Sequence, residues 1–179
     1  ARGSSAHNVV LIDNKNQSPG PEKTLSPQSI DKYRITENYD YAFGTFNNFI
    51  EVKGEAEHTR ALFYLRDQFW LVLDHISTDR PRNLKFLWHW HPKCRVIQES
   101  INTRGVVDKK SLTIMPLSND NFKISQVSGQ ENPNIQGWYS SEYNLYEPNI
   151  LTEYSVEIDK TESFLWLLIP ENNSKRRIK

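Results

Sequence analysis

Hydrophobic and polar residues alternate at period two along much of the chain, in stretches set apart by Asn, Asp, Ser, Pro and Gly. That pattern marks short β-strands with one face turned to a core. It predicts strands over His7–Asp13, Tyr41–Lys53, His58–Leu65, Phe69–Ser77, Leu84–His91, Leu112–Pro116, Phe122–Val127, Thr152–Asp159 and Phe164–Ile169, all rich in β-branched or aromatic residues. No stretch holds a helical period over three turns. Leu65-Arg66-Asp67-Gln68-Phe69 reads as the tight turn of an antiparallel hairpin. Strands in this number and spacing indicate an all-β fold, an antiparallel β-sandwich.

Between the strands, Gln17–Gln28 carries Pro19, Gly20, Pro21 and Pro27 and is expected to be an irregular crossing. Ser128–Pro148 is read as a loop, yet it holds Trp138, Tyr139, Tyr143 and Tyr146. Rings at that density are expected to pack against the sandwich or a partner. Residues 1–170 form the expected single domain. Residues 171–179, ending in Lys175, Arg176, Arg177 and Lys179, form a basic, solvated tail.

Composition narrows the class of function. The 179 residues suit one domain, and 22 Lys+Arg against 22 Asp+Glu leave no net charge. Without a basic excess a dedicated nucleic-acid binder is not expected. The longest apolar run, around Phe164–Ile169, falls far short of the roughly 20 residues of a membrane helix, so no membrane span is expected. Aromatic residues make up 12% of the chain, which indicates a folded core built from large rings. The lone Cys94 excludes an internal disulfide framework. The chain opens at Ala1 without a signal-like stretch, and it is expected to be a piece or processed form of a longer protein.

Histidines are the clearest candidates for chemistry. His89 and His91, two apart on a predicted strand, would share one face, as a metal pair does. The plainer reading has them flanking Trp90 on a strand that buries Trp88 and Trp90. Those two Trp, with Trp138 and Tyr139, are also candidate sugar-stacking rings of a carbohydrate-binding module. His58 and Arg60 share a strand face, and Asp74 on the next strand is expected to pair with one of them. No Gly-x-Ser-x-Gly, phosphate-binding glycine loop or paired glycosidase carboxylates occur.

Five stretches, in order, carry a resemblance. Arg2-Gly3-Ser4-Ser5-Ala6-His7-Asn8-Val9-Val10-Leu11-Ile12-Asp13 resembles the Arg-Gly-Thr-x-Ala-His-Asn signature of heparinase II/III-like polysaccharide lyases. His58-Thr59-Arg60 through Trp70-Leu71-Val72-Leu73-Asp74 resembles that family's next hairpin, and Leu87–Pro92 the strand after it. Gly137-Trp138-Tyr139-Ser140-Ser141-Glu142-Tyr143 resembles its Gly-Trp-Tyr-Ser-x-x-Tyr loop, and the last strand runs into Leu-Leu-Ile-Pro.

The resemblance implies the C-terminal β-sandwich, of super-sandwich type, that follows an N-terminal α/α toroid. It implies β-elimination on an acidic, uronate-containing polysaccharide such as a glycosaminoglycan, in the periplasm or outside the cell. In zinc-binding members the His of the Ala-His-Asn motif holds the ion together with an upstream His and Asp. His7 matches it and is the expected metal ligand of this chain, its co-ligands lying upstream. Trp138, Tyr139 and Tyr143 are the expected substrate-binding residues. The catalytic acid and base are expected in the toroid and the upstream part of the sheet domain.

Overall fold

The computed structural model describes residues 3–17, 32–49, 51–118 and 121–172. Arg2, most of the Gln17–Gln28 crossing and residues 173–179 of the expected tail lie outside these. A short 3-10 turn, Ser4–Ala6, leads into β1 (Val10–Ile12), β2 (Tyr33–Ile35), β3 (Tyr39–Phe46), β4 (Ala56–Leu65) and β5 (Phe69–Thr78). Next come β6 (Arg82–His89), β7 (Arg95–Glu99), β8 (Asn102–Val107), β9 (Lys110–Pro116) and β10 (Lys123–Ser128). The chain closes with β11 (Trp138–Glu142), β12 (Leu145–Pro148), β13 (Ile150–Ile158) and β14 (Glu162–Asn172).

Eight strands form one sheet in the order β2-β3-β4-β5-β14-β9-β8-β7, and four form a second in the order β1-β6-β13-β10. The two pack face to face as a β-sandwich, as the period-two pattern predicts. From the large sheet Val72, Ile76, Phe164 and Trp166 point inward, and Phe86, Trp88 and Tyr154 meet them from the small one. Phe86 lies 4.7 Å from Phe164 and 5.1 Å from Trp166, centroid to centroid, and Tyr154 meets Trp166 edge-on at 5.0 Å. Such tilted ring packing suits the aromatic quadrupole. Burial pushes the Tyr154 hydroxyl up to about 12, opposed by its hydrogen bond with Thr103.

The buried charged side chains Asp74 and Arg82 find partners. Arg82, 2% exposed, donates to Asp13 and Asp79, to Thr78 Oγ1 and to the carbonyls of Lys53 and Glu55. One guanidinium thereby ties together the loops at that end. The expected β4–β5 turn forms at Leu65–Phe69, with Asp67 at φ 59, a left-handed position that Asp tolerates.

Several elements differ from the pattern's forecast. The predicted Tyr41–Lys53 strand stops at Phe46, and Phe49 and Val52 reach the core from irregular chain instead. Strands β2, β7 and β8 are not foreseen, because β2 is only three residues long and β7 and β8 carry few apolar residues, at adjacent rather than alternating positions. Ser128–Pro148, read as a loop, contains a two-stranded sheet of β11 and β12. Strand β14 extends through Asn172, so the first two residues of the expected tail belong to the sheet.

At one place the packing admits only glycine. A Cβ on Gly105 would fall inside contact distance of Trp90 Cε3 and Cζ3. That ring cannot step aside, because its Nε1 donates to Thr152 Oγ1 at 2.9 Å and Asn149 holds its carbonyl. Gly105→Ala is expected to cost about 1–3 kcal/mol, the usual range for overpacking, read as a lower urea midpoint. An unchanged midpoint would mean that Trp90 moves freely.

Candidate functional site

A cleft of about 940 Å³ opens at one end of the sandwich, between the Gly3–Ala6 segment, the end of β6 and the β11–β12 hairpin. Its lining includes Ser5, His89, Glu131, Trp138, Tyr139 and Tyr143. Apolar rings beside a few polar groups are the usual make-up of a small-molecule or sugar site.

The hairpin wall is built from its glycine upward. Gly137 sits at φ 74, where a Cβ would press on Ser128 Cα and the Val127 carbonyl. Its own carbonyl accepts from the backbone N–H groups of Gly129 and Asn149, which pins the hairpin to the sandwich. Trp138 then donates Nε1–H to the Gln130 carbonyl at 3.0 Å and meets Tyr146 edge-on at 5.4 Å. Tyr139 packs 5.3 Å from the His91 ring. Tyr143 and Tyr146 stand 92% and 72% exposed, an unusual cost for large rings that nothing in the fold requires.

The opposite wall hangs from the core through a chain of polar contacts. Asp74 is fully buried and accepts from His58 Nε2 at 2.7 Å and from Arg60 Nε and Nη2 at 2.6 and 3.0 Å. Burial alone would raise the Asp74 carboxyl. The hydrogen bond from His58 and the charge and hydrogen bonds of Arg60 outweigh it and hold the group below the usual carboxylate range. Arg60 lies 5.9 Å over the Trp88 ring and donates Nη1–H to the Asn8 carbonyl. Asn8 Oδ1 in turn accepts the His89 backbone N–H at 2.7 Å. The buried carboxylate thus anchors the segment that presents His7 and borders the cleft.

His89 Nε2–H donates to the Ser5 carbonyl at 3.0 Å, which leaves Nδ1 as its free nitrogen. Burial lowers its pKa and the neighbouring His7 adds to that, while the Ser5 contact opposes both. His7 itself is exposed.

The expected substrate residues Trp138, Tyr139 and Tyr143 do come together, all lining one cleft. Of the two readings of His89 and His91, the metal pair gains no support: β6 ends at His89, and the His91 ring lies beyond it against Tyr139. Trp88 and Trp90, candidate stacking rings from sequence, are 7% and 5% exposed and belong to the core. Tyr146, Ile135 and the Ser5–Ala6 backbone were not singled out for the cleft. The density of rings in Ser128–Pro148 signalled the hairpin side alone, and nothing local signalled the Ser5–Ala6 backbone.

A zinc site takes about four nitrogen, oxygen or sulfur donors. Among the described residues no three His, Cys, Asp or Glu side chains come together to hold a metal, and His89 has one nitrogen committed to Ser5. The described residues therefore do not fit a zinc ion by themselves.

Known structures share this architecture. The heparan sulfate lyase HepC from Pedobacter heparinus superposes with a TM-score of 0.76 at 16% identity, over 97% of this chain and 25% of that one. A heparinase III structure gives 0.74 at 14% identity, over 99% of this chain and 26% of that one. A second heparinase III gives 0.73 at 12% identity, over 98% and 25%. The chain thus spans about a quarter of the length of these lyases, and at such identities the likeness establishes the fold. None of the curated proteins matches the sequence. The family model described as heparinase II/III-like, C-terminal, matches residues 1–177, and the chain belongs to that family.

Proposed function

We propose that this chain is the C-terminal β-sandwich of a polysaccharide lyase that cleaves an acidic, uronate-containing polysaccharide by β-elimination. The observation that carries this reading is the aromatic cleft, in which the Gly-Trp-Tyr-Ser hairpin faces the Ser5–Ala6 segment within a heparinase II/III-like domain. In β-elimination a base removes the C5 proton, the C4–O4 bond breaks, and an acid protonates the leaving oxygen. The C4–C5 double bond that forms is conjugated with the uronate carboxylate. On this reading an α/α toroid in the same polypeptide brings the acid and base, and Trp138, Tyr139 and Tyr143 hold sugar faces against the cleft wall. His7 is the one ligand this chain offers to a zinc ion whose other ligands lie outside the described residues. The setting is periplasmic or extracellular, where such polymers are met.

A non-catalytic carbohydrate-binding module is the second reading, favoured by the exposed Tyr143 and Tyr146. It loses the two rings of Trp88 and Trp90, which are core residues.

Ultraviolet absorbance of the unsaturated product, followed on a panel of uronic polysaccharides, separates the two. Activity in the gene's full-length product, with none in this chain alone, is the expected result. Binding without absorbance change in either would overturn the lyase reading. Tyr139→Ala and Tyr143→Ala are each expected to weaken oligosaccharide binding about fivefold, what the loss of about 1 kcal/mol of ring contact gives. Isothermal titration checks this, and unchanged affinity in both variants would remove the hairpin from the site.

A further inference from the structure

The wall of the aromatic cleft carries charge of one sign. Ser128–Pro148 holds Glu131, Glu142 and Glu147 and no Lys or Arg. All three carboxylates are exposed, and none forms an ion pair among the described residues. Among the described lining residues Glu131 is the one Asp, Glu, Lys or Arg, and it stands beside Trp138, Tyr139 and Tyr143. Of the cations nearby in sequence, Lys93 is outside the lining and Arg2 lies outside the described residues. Arg60 is held by Asp74 and the Asn8 carbonyl.

A sugar ring meets such a wall in two ways. Its C–H faces pack on aromatic rings whatever its substituents. Its hydroxyls donate to a carboxylate, and a hydrogen bond to an ionised acceptor is stronger than a neutral one. A sulfate or carboxylate substituent offers Glu131 only acceptors and a like charge. The described lining supplies no Lys or Arg to offset that repulsion. Rejecting a wrong ligand by repulsion sets specificity as effectively as a new contact to the right one.

We infer that the hairpin side of the cleft selects an uncharged sugar unit, with Glu131 as the residue that turns away a sulfated or carboxylated one. The inference rests on the reading of the cleft as the sugar site of a lyase, and it narrows the substrate class. The uronate that loses its C5 proton then lies at a neighbouring position, outside this wall. The polymer is one in which uronate alternates with an uncharged hexose or N-acetylhexosamine. A polyuronate or a heavily sulfated chain places a charge on every unit and fits this wall poorly.

Glu131→Gln in the full-length product tests this, because it keeps the side chain's size and one acceptor and removes the charge. The probes are two matched pairs: chondroitin with chondroitin sulfate, and heparosan with heparan sulfate. They are compared by kcat/KM from the ultraviolet absorbance of the product. The wild type is expected to favour the unsulfated member of the pair it accepts. The variant is expected to raise the sulfated-to-unsulfated ratio at least about fivefold, the effect of one like charge about 4 Å away in bulk water. Glu142→Gln, outside the lining, is expected to move the ratio less than about twofold, as a screened charge does. Added salt is expected to narrow the wild-type gap in the same sense. Wild-type preference for the sulfated member, an unchanged ratio in Glu131→Gln, or an equal change in Glu142→Gln would overturn the inference. If no product forms, the same ratios are read as affinities by isothermal titration. Selectivity present in the wild type and lost in Glu131→Gln would then count against the lyase reading alone. Neither turnover nor binding with any of the four polymers would overturn both.

Discussion

Asp74→Ala is expected to destabilise the domain by about 3–5 kcal/mol at pH 7, the range for removing one partner of a buried ion pair. The carboxylate is fully buried, and its loss strands His58, 5% exposed, and Arg60, 21% exposed, with no counter-charge. Asp74→Asn keeps the volume and one acceptor and is expected to cost less. The effect depends on pH in a defined sense. The folded-state pKa of Asp74 lies below its ordinary value, so its contribution is full above the unfolded pKa of about 3.9. It is lost as pH falls through the lower, folded value. Urea midpoints of wild type and Asp74→Ala should therefore differ widely at pH 7 and converge as the medium is acidified below pH 4. An equal gap at both ends would show that the carboxylate acts through packing rather than charge. The amides of Asn8 and His89 should shift in the variant's NMR spectrum, because Arg60 links Asp74 to the Asn8 carbonyl.

Trp166→Ala is expected to cost a further 3–5 kcal/mol class of loss by a different route, the cavity left by a large ring. Trp166 is fully buried on β14 and lies against Phe86, Trp88, Phe122 and Tyr154. Its indole nitrogen is buried with no hydrogen-bond partner among the described residues. The ring therefore contributes through packing and burial, and its N–H is a small liability. Trp166→Phe should accordingly fall within about 1–2 kcal/mol of wild type, as a partial cavity is offset by the removal of an unpaired donor. Denaturant titration distinguishes the two substitutions. A Phe variant as unstable as the Ala variant would mean that the indole shape, and not apolar volume, is what the core requires.

Much of the fold was legible because β4, β5, β6, β13 and β14 are long and rich in β-branched or aromatic residues, among them the buried Val72, Ile76, Phe86, Tyr154 and Trp166. The pairing of Asp74 with His58 and Arg60 was legible too, since the short turn at Asp67 fixes the register of β4 and β5. What escaped is governed by contacts distant in sequence. Strand β8 is held by its neighbours in spite of Arg104 and Gly105, and the glycine is there for Trp90, fifteen positions earlier by number. The cleft was legible only as a run of rings. That Ser5 and His89 form its other side depends on a hydrogen bond across 84 positions, which no local pattern encodes.

The last strand among the described residues occupies the middle of the large sheet, because β14 lies between β5 and β9. Until residues 162–172 emerge, the sheet exists at most as two halves, β2 to β5 and β7 to β9, each with a bare inner edge. Cooperative closure of this sheet must therefore wait for β14, and long-range strand pairing of this kind is slow. A chain interrupted before β14 would display two unpaired edges flanked by apolar faces, the form of intermediate most prone to aggregate. Quality control in the cell would meet such a product as an all-or-none failure, and truncation from the C-terminal side would be far less forgiving than the modest length removed suggests.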